Sequence, residues 1–243
     1  MTHFLDAMVG HGLGASIKDV PADARQAAKT FILDSIGVGI AGSAAPLAMP
    51  VRTAASRWAG GEVGRVWGRA GFRTTPANAA FINGFQIHCQ EYDCVHEPAV
   101  VHPLATILSA TIAEVDGQER PVSGVDLMMA VIVAVDMAAG IGVSAKSALK
   151  FFRPANAGIF GATLGVARLR QLNFAQTKDA LGYALAFCSG TMQAHVEGKP
   201  TLPIQIANAA RGAIMACDLA QSGLEGPHDS LEGPFGYFGL FED

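Results

Sequence analysis

Charge is scarce in this chain. Of its 243 residues only 16% are Asp, Glu, Lys or Arg, and 17 basic residues face 21 acidic ones for a net charge of −4. No run of Lys or Arg stands out, which argues against a nucleic-acid partner. A few local cations still suffice to hold a small anion. Aromatic residues reach only 7%, and valine-rich strand candidates are few, so a β-sandwich is disfavoured. The four cysteines, Cys89, Cys94, Cys188 and Cys217, form no CxxC pair, which argues against a zinc centre built on thiolates and for reduced thiols in the cytosol. No Walker loop, GxSxG elbow or GxGxxG turn occurs, so no nucleotide or flavin cofactor is expected. The N-terminus lacks the basic and apolar regions of a signal peptide. The longest apolar run, "LMMAVIVAVDMAAGIGV", is interrupted by Asp136 and two glycines and reads as a buried helix, not a membrane span.

Half of the residues are hydrophobic, enough for a full core, and their spacing is helical. "PADARQAAKTFILDSIGVGIAGS" opens with proline and an acid, then carries Ala27, Phe31, Ser35 and Val38 on one face. Its glycines, Gly37, Gly39 and Gly42, weaken the isolated helix and suit a position where another helix crosses closely. Thr75 and Pro76 read as N-cap and first residue of a second helix. Further helices are expected around 103–116, 123–143, 156–170, 175–188 and 203–223, with one strand candidate at 61–70. The expectation is an all-α fold: a single orthogonal multi-helix domain over 1–243.

Against this bland background, "EYDCVHEPAVVHP" at 91–103 concentrates acids, a tyrosine, a thiol and two histidines. If its helix persists, Glu91 follows His88 by three residues and His96 follows Asp93 by three, spacings that share a helical face. Pro98 predicts a break near Glu97, and His102-Pro103 opens the next helix. A helix end, a loop and a helix start then converge. Three readings fit: a general acid–base site, mutual pairing and capping of helix ends, or a metal site of histidines and carboxylates. No compact His-x-x-x-His pair favours the third.

Two further stretches carry charge into small-residue surroundings. In "FFRPANAGIFG", Arg153 precedes Pro154, and Asn156 reads as a helix N-cap. An arginine at a helix N-terminus suits a carboxylate. In "GTMQAHVEGKPTLP", His195, Glu197 and Lys199 lie in a loop before a long helix, and Lys199 is able to hold a carboxylate or a developing enolate. Each also reads as an ordinary cap or surface charge.

The order of "FILDSIGVGIAGS", "NGFQIHCQEYDCVHE", "FRPANAGIFGATLGVARL" and "GLEGPHDSLEGPFGYF" resembles the MmgE/PrpD family, which includes 2-methylcitrate dehydratase and cis-aconitate decarboxylase. The likeness runs from about residue 20 to the end. It implies a helical domain, no organic cofactor, a homodimer, and proton chemistry beside the carboxylates of a small di- or tricarboxylate. Asp93 and the His102-Pro103 pair match the family pattern. Glu91 is a longer acid at its first position, and Cys94 and Val95 replace an Asp and a Thr. Arg153 stands where the family has a histidine, and Lys199 lies a few positions before the family's lysine. The resemblance therefore implies His102 as acid–base group oriented by Asp93 and Glu91 as a second acid or base. Arg153, Lys199, His96 and Asn156 become candidates for substrate binding.

The expected activity is a cofactor-independent lyase or isomerase that dehydrates, decarboxylates or epimerises its substrate. Family members continue into an α/β lid domain beyond "LEGPFGYF", where this chain reaches Asp243. The lid is thus expected to be absent, or supplied by a second polypeptide in a hetero-oligomer. A non-catalytic scaffold subunit is the rival reading.

Overall fold

The structure, a computed structural model, describes residues 4–58 and 60–242. Eleven helices and one two-stranded ribbon are found among them, in agreement with the all-α expectation. The first is α1 (Phe4–Gly14), followed by α2 (Ala22–Gly42) and α3 (Ala48–Ala55). The ribbon pairs β1 (Gly64–Arg65) with β2 (Arg73–Thr74) antiparallel. Only β1 falls within the expected strand region at 61–70; it is two residues long and β2 lies beyond that region, because Gly68 and Gly71 turn the chain at positive φ.

The bundle is built around α4 (Pro76–His88), in which every residue from Asn78 to His88 is buried. The Thr75 hydroxyl accepts the Asn78 N–H and Pro76 opens the helix, as its sequence signals. Against α4 pack α5 (Pro103–Gly117), α2 and α10 (Leu202–Gln221). Burying Phe85 or Ile82 at this centre contributes about 2 kcal/mol each. Next to them lie α6 (Gly124–Ser144) and α7 (Arg153–Arg170), the most extensively packed pair, with α8 (Phe174–Phe187) behind. A reciprocal cap between Asn173 and Gln176 starts α8. Two short helices, α9 (Gln193–Val196) and α11 (Tyr237–Phe241), complete the set.

Several details depart from the sequence reading. In α2 the inward side is set by Ser35, Gly39 and Gly42, while Ala27 and Phe31 face outward. A Cβ at Gly42 would strike the Gln86 carbonyl of α4 and one at Gly39 the Trp67 ring. Small residues therefore decide which side of α2 is buried, and apolar size does not. Gly37 has open space around it. Helices α1 and α3 were not anticipated, being short and weakly patterned. The apolar α6 has the length and hydropathy to cross a membrane, yet Met129–Met137 are largely buried against α7, α5 and α1. Asp136 pairs with His11 across the α1 side.

The closing segment straps the bundle. Asp179 accepts from the Gly226 N–H and from His228, and Tyr237 is fully buried, its ring edge-on to Phe160 at 5.5 Å.

Candidate active site

The α4 helix ends at His88, with Cys89 as its cap, nine residues short of the break expected near Glu97. Glu91 then takes a left-handed conformation, φ 53°. The helical pairings His88–Glu91 and Asp93–His96 therefore do not form. Instead the chain doubles back in a pinned loop. His96 and Val101 exchange backbone hydrogen bonds of 2.9 and 3.4 Å, around one 3-10 turn at Glu97–Ala99. His96 Nδ1 accepts the Ala99 N–H at 3.2 Å. That nitrogen thus caps the turn, and the ring borders an apolar groove on the α2 side.

This loop carries Asp93 back beneath the end of α4. The carboxylate is buried between two imidazoles. His88 Nδ1 lies 3.1 Å from each of its oxygens, and His102 Nδ1 lies 3.3 Å from Oδ2. The two rings meet edge-to-face with centroids 4.8 Å apart. Burial alone would raise the Asp93 carboxyl. The hydrogen bonds and positive charge of His102 and His88 outweigh it and hold the group at about 2. For His102, burial disfavours the cation, but Asp93, with Glu91 at longer range, overcomes this and pushes its pKa up. Asp93 thus faces Nδ1 of each ring, 3.1 Å away in His88 and 3.3 Å away in His102. The opposite nitrogen, Nε2, is left for other work.

His88 and His102 border a cavity of about 180 Å³, whose wall also includes Glu91, Phe152, His195 and Leu202. Three helix starts meet there: His102 caps α5, Phe152 caps α7, and Leu202 is the first residue of α10. Each has proline in its first two positions. The unpaired N–H groups and dipoles of helix starts favour an anion. A wider groove of about 270 Å³ lies between α2, α5 and α6. Its wall is mostly apolar, and among the described residues its titratable side chains, Cys94, His96 and Asp136, form no mutual pair.

Arg153 does not line the cavity. It is the first residue of α7, and its guanidinium turns to a bidentate pair with Glu242, at 2.7 and 2.8 Å. Ser147 and Tyr237 hold the same carboxylate. The Glu242 hydrogen bond raises the Arg153 pKa further. Asn156 is one turn inside α7 and no N-cap; its side chain donates weakly to the Gly190 carbonyl, 3.4 Å away. Helix α7 begins three residues earlier than its small-residue pattern indicates, because proline is well tolerated at the second position. Lys199 is exposed on the loop before α10 and lies off the cavity wall.

The structure therefore brings Asp93, His102 and Glu91 together and leaves Arg153, Lys199, His96 and Asn156 outside. It adds two histidines to which the sequence reading gave no role. His88 is five residues before Asp93, which is not a helical spacing. His195 approaches from 93 residues further along. The group His88, Asp93 and His102 is also the one, among the described residues, whose donor atoms could meet on a metal ion, all lying within 4.8 Å of one another.

The sequence matches the model of the MmgE/PrpD N-terminal domain over residues 11–243. The chain belongs to the MmgE/PrpD family. Among its relatives, the cis-aconitate decarboxylase of Mus musculus is 30% identical over 219 residues, 88% of this chain and 44% of that protein. The cis-aconitate decarboxylase of Homo sapiens is 29% identical over 221 residues, 88% of this chain and 45% of its own. A cis-aconitate decarboxylase-like protein of Aspergillus oryzae is 30% identical over 229 residues, 90% and 47% respectively. This MmgE/PrpD chain thus spans somewhat less than half the length of these curated relatives.

Proposed function

We propose that this chain carries the acid–base half of a lyase that acts on a small tricarboxylate, in the manner of a carboxy-lyase. The observation that carries the reading is Asp93, buried between His88 and His102 with the His102 ring on an anion-favouring cavity. The relatives named for cis-aconitate decarboxylation support that reaction class. In such a step the bond to one carboxylate breaks and CO₂ leaves. The electron pair moves through the alkene to a carbon, which takes up one proton. His102 Nε2 delivers that proton, and Asp93 holds the ring and stabilises its cationic form beforehand. Glu91, exposed and near His102, returns a proton to it from solvent. No residue in this scheme calls for an organic cofactor or a metal.

The cavity is closed by further polypeptide, either later in the same protein or in a partner, because Glu91 and His195 stand exposed at its mouth. A second copy is the partner we favour, with Leu33 and Ile40 of α2 exposed for contact. The four free thiols suit a cytosolic location.

The test is turnover of cis-aconitate by the full-length protein and by His102→Gln. A fall of 10²-fold or more in kcat, with folding intact, supports the reading. Equal turnover removes His102 from it. The rival, a non-catalytic scaffold, draws on the engagement of Arg153 with Glu242. It would be favoured if the unsubstituted protein bound no carboxylate and turned over none.

A further inference from the structure

Among the described residues, the cavity wall contains no lysine or arginine. Arg153 is committed to Glu242, and Lys199 lies outside. Of the three histidines on that wall, His88 is buried against Asp93 and His102 has the proton to move. His195 is the remaining side-chain donor, and its imidazole makes no hydrogen bond or ion pair with any described residue.

Its position is not that of a loose loop. Thr191 and Phe151 form a bridge, the Met192 N–H donates to the Lys150 carbonyl at 3.0 Å, and the Phe152 N–H donates to Gly190 at 3.2 Å. Gln205 of α10 donates to the Thr191 carbonyl at 3.1 Å. Ala194, just before His195, is buried, and its carbonyl accepts the Lys199 N–H at 2.9 Å. The turn is thus tied both to the strand-like entry of α7 and to α10, the two elements that form the cavity's far helix starts. The backbone bonds fix the turn, and the exposed ring of His195 stands on the cavity wall with its nitrogens open to a ligand.

We propose that His195 donates an N–H to a second carboxylate of the substrate and thereby sets the preference for di- and tricarboxylates. This deepens the proposed function and rests on it. The cavity then divides its labour: His102 and Asp93 serve the reacting carbon, and His195 anchors a carboxylate that does not react.

The experiment measures binding of tricarballylate, an unreactive tricarboxylate, to the full-length protein by calorimetry. The variants are His195→Ala, His195→Gln and His102→Gln, with cis-aconitate turnover alongside. The account expects His195→Ala to weaken tricarballylate binding and to raise KM by tenfold or more together, with kcat altered less than threefold. His195→Gln, whose amide N–H reaches part of the way, should recover part of the loss. Unchanged binding in His195→Ala, with normal turnover in the unsubstituted protein, would overturn this inference alone. So would a fall confined to kcat. No tricarballylate binding by the unsubstituted protein would overturn it together with the proposed function.

Discussion

His88 Nδ1 is equidistant, at 3.1 Å, from both carboxylate oxygens of Asp93. A single ring nitrogen therefore straddles the acid, and the carboxylate keeps one oxygen edge for His102. His88 is buried to 2% exposure, and in the proposed reaction its part is to hold Asp93. Replacement by alanine leaves a buried carboxylate with one partner fewer, which costs about 1–3 kcal/mol. Thermal unfolding of His88→Ala should show that loss. In the same variant the lower limb of the pH–rate profile should shift, as the pKa of Asp93 rises toward its ordinary value. A stability loss with an unmoved profile would make His88 purely structural.

The two shifted groups also set a pH window for stability. Asp93 is held at about 2, below an ordinary aspartate, so its ionised form favours the fold. That contribution is complete above about pH 4 and is lost as pH falls through 2; it amounts to about 2 kcal/mol. His102 is shifted upward, so its contribution is complete below its ordinary pKa of 6.5 and is lost as pH rises through the folded value. Denaturant titrations should find a plateau between these limits. Asp93→Asn should flatten both limbs, because it removes the cause of each shift.

Much of the scaffold was legible in the sequence. Thr75-Pro76 and His102-Pro103 mark the starts of α4 and α5, the first through a cap hydrogen bond and both through proline in the first turn. The active loop was legible only in part. Asp93 and His102 were found from composition and resemblance, but their geometry depends on Glu91 adopting positive φ, which a non-glycine residue rarely signals. The partner of Arg153 lies 89 residues away, at Glu242, beyond any local pattern. Arginine at a helix start looks the same whether it awaits a ligand or already holds one.

That Arg153–Glu242 pair yields its own prediction. Both side chains are buried and the carboxylate is fully occupied by Arg153, Ser147 and Tyr237. Arg153→Ala strands a buried acid and should destabilise by about 3–5 kcal/mol, whereas Arg153→Met with Glu242→Leu should cost much less. Equilibrium unfolding of the single and double variants measures the difference. Equal losses would show that the pair is not coupled.

Metal dependence separates proton transfer from metal chemistry at the same three side chains. Because Asp93 already engages both Nδ1 atoms, turnover should survive prolonged dialysis against EDTA. Loss of activity that returns with added zinc would replace the proton-transfer account with a His88–Asp93–His102 metal centre.

The central claim is that His102, held by Asp93, transfers a proton to or from a substrate carbon. Its most direct test is turnover of cis-aconitate in D₂O, with deuterium in the product followed by NMR for the unsubstituted protein and for His102→Gln. The account predicts one deuterium per product at a defined carbon, formed at least 10²-fold more slowly in the variant. Product formed at an undiminished rate by His102→Gln would contradict it.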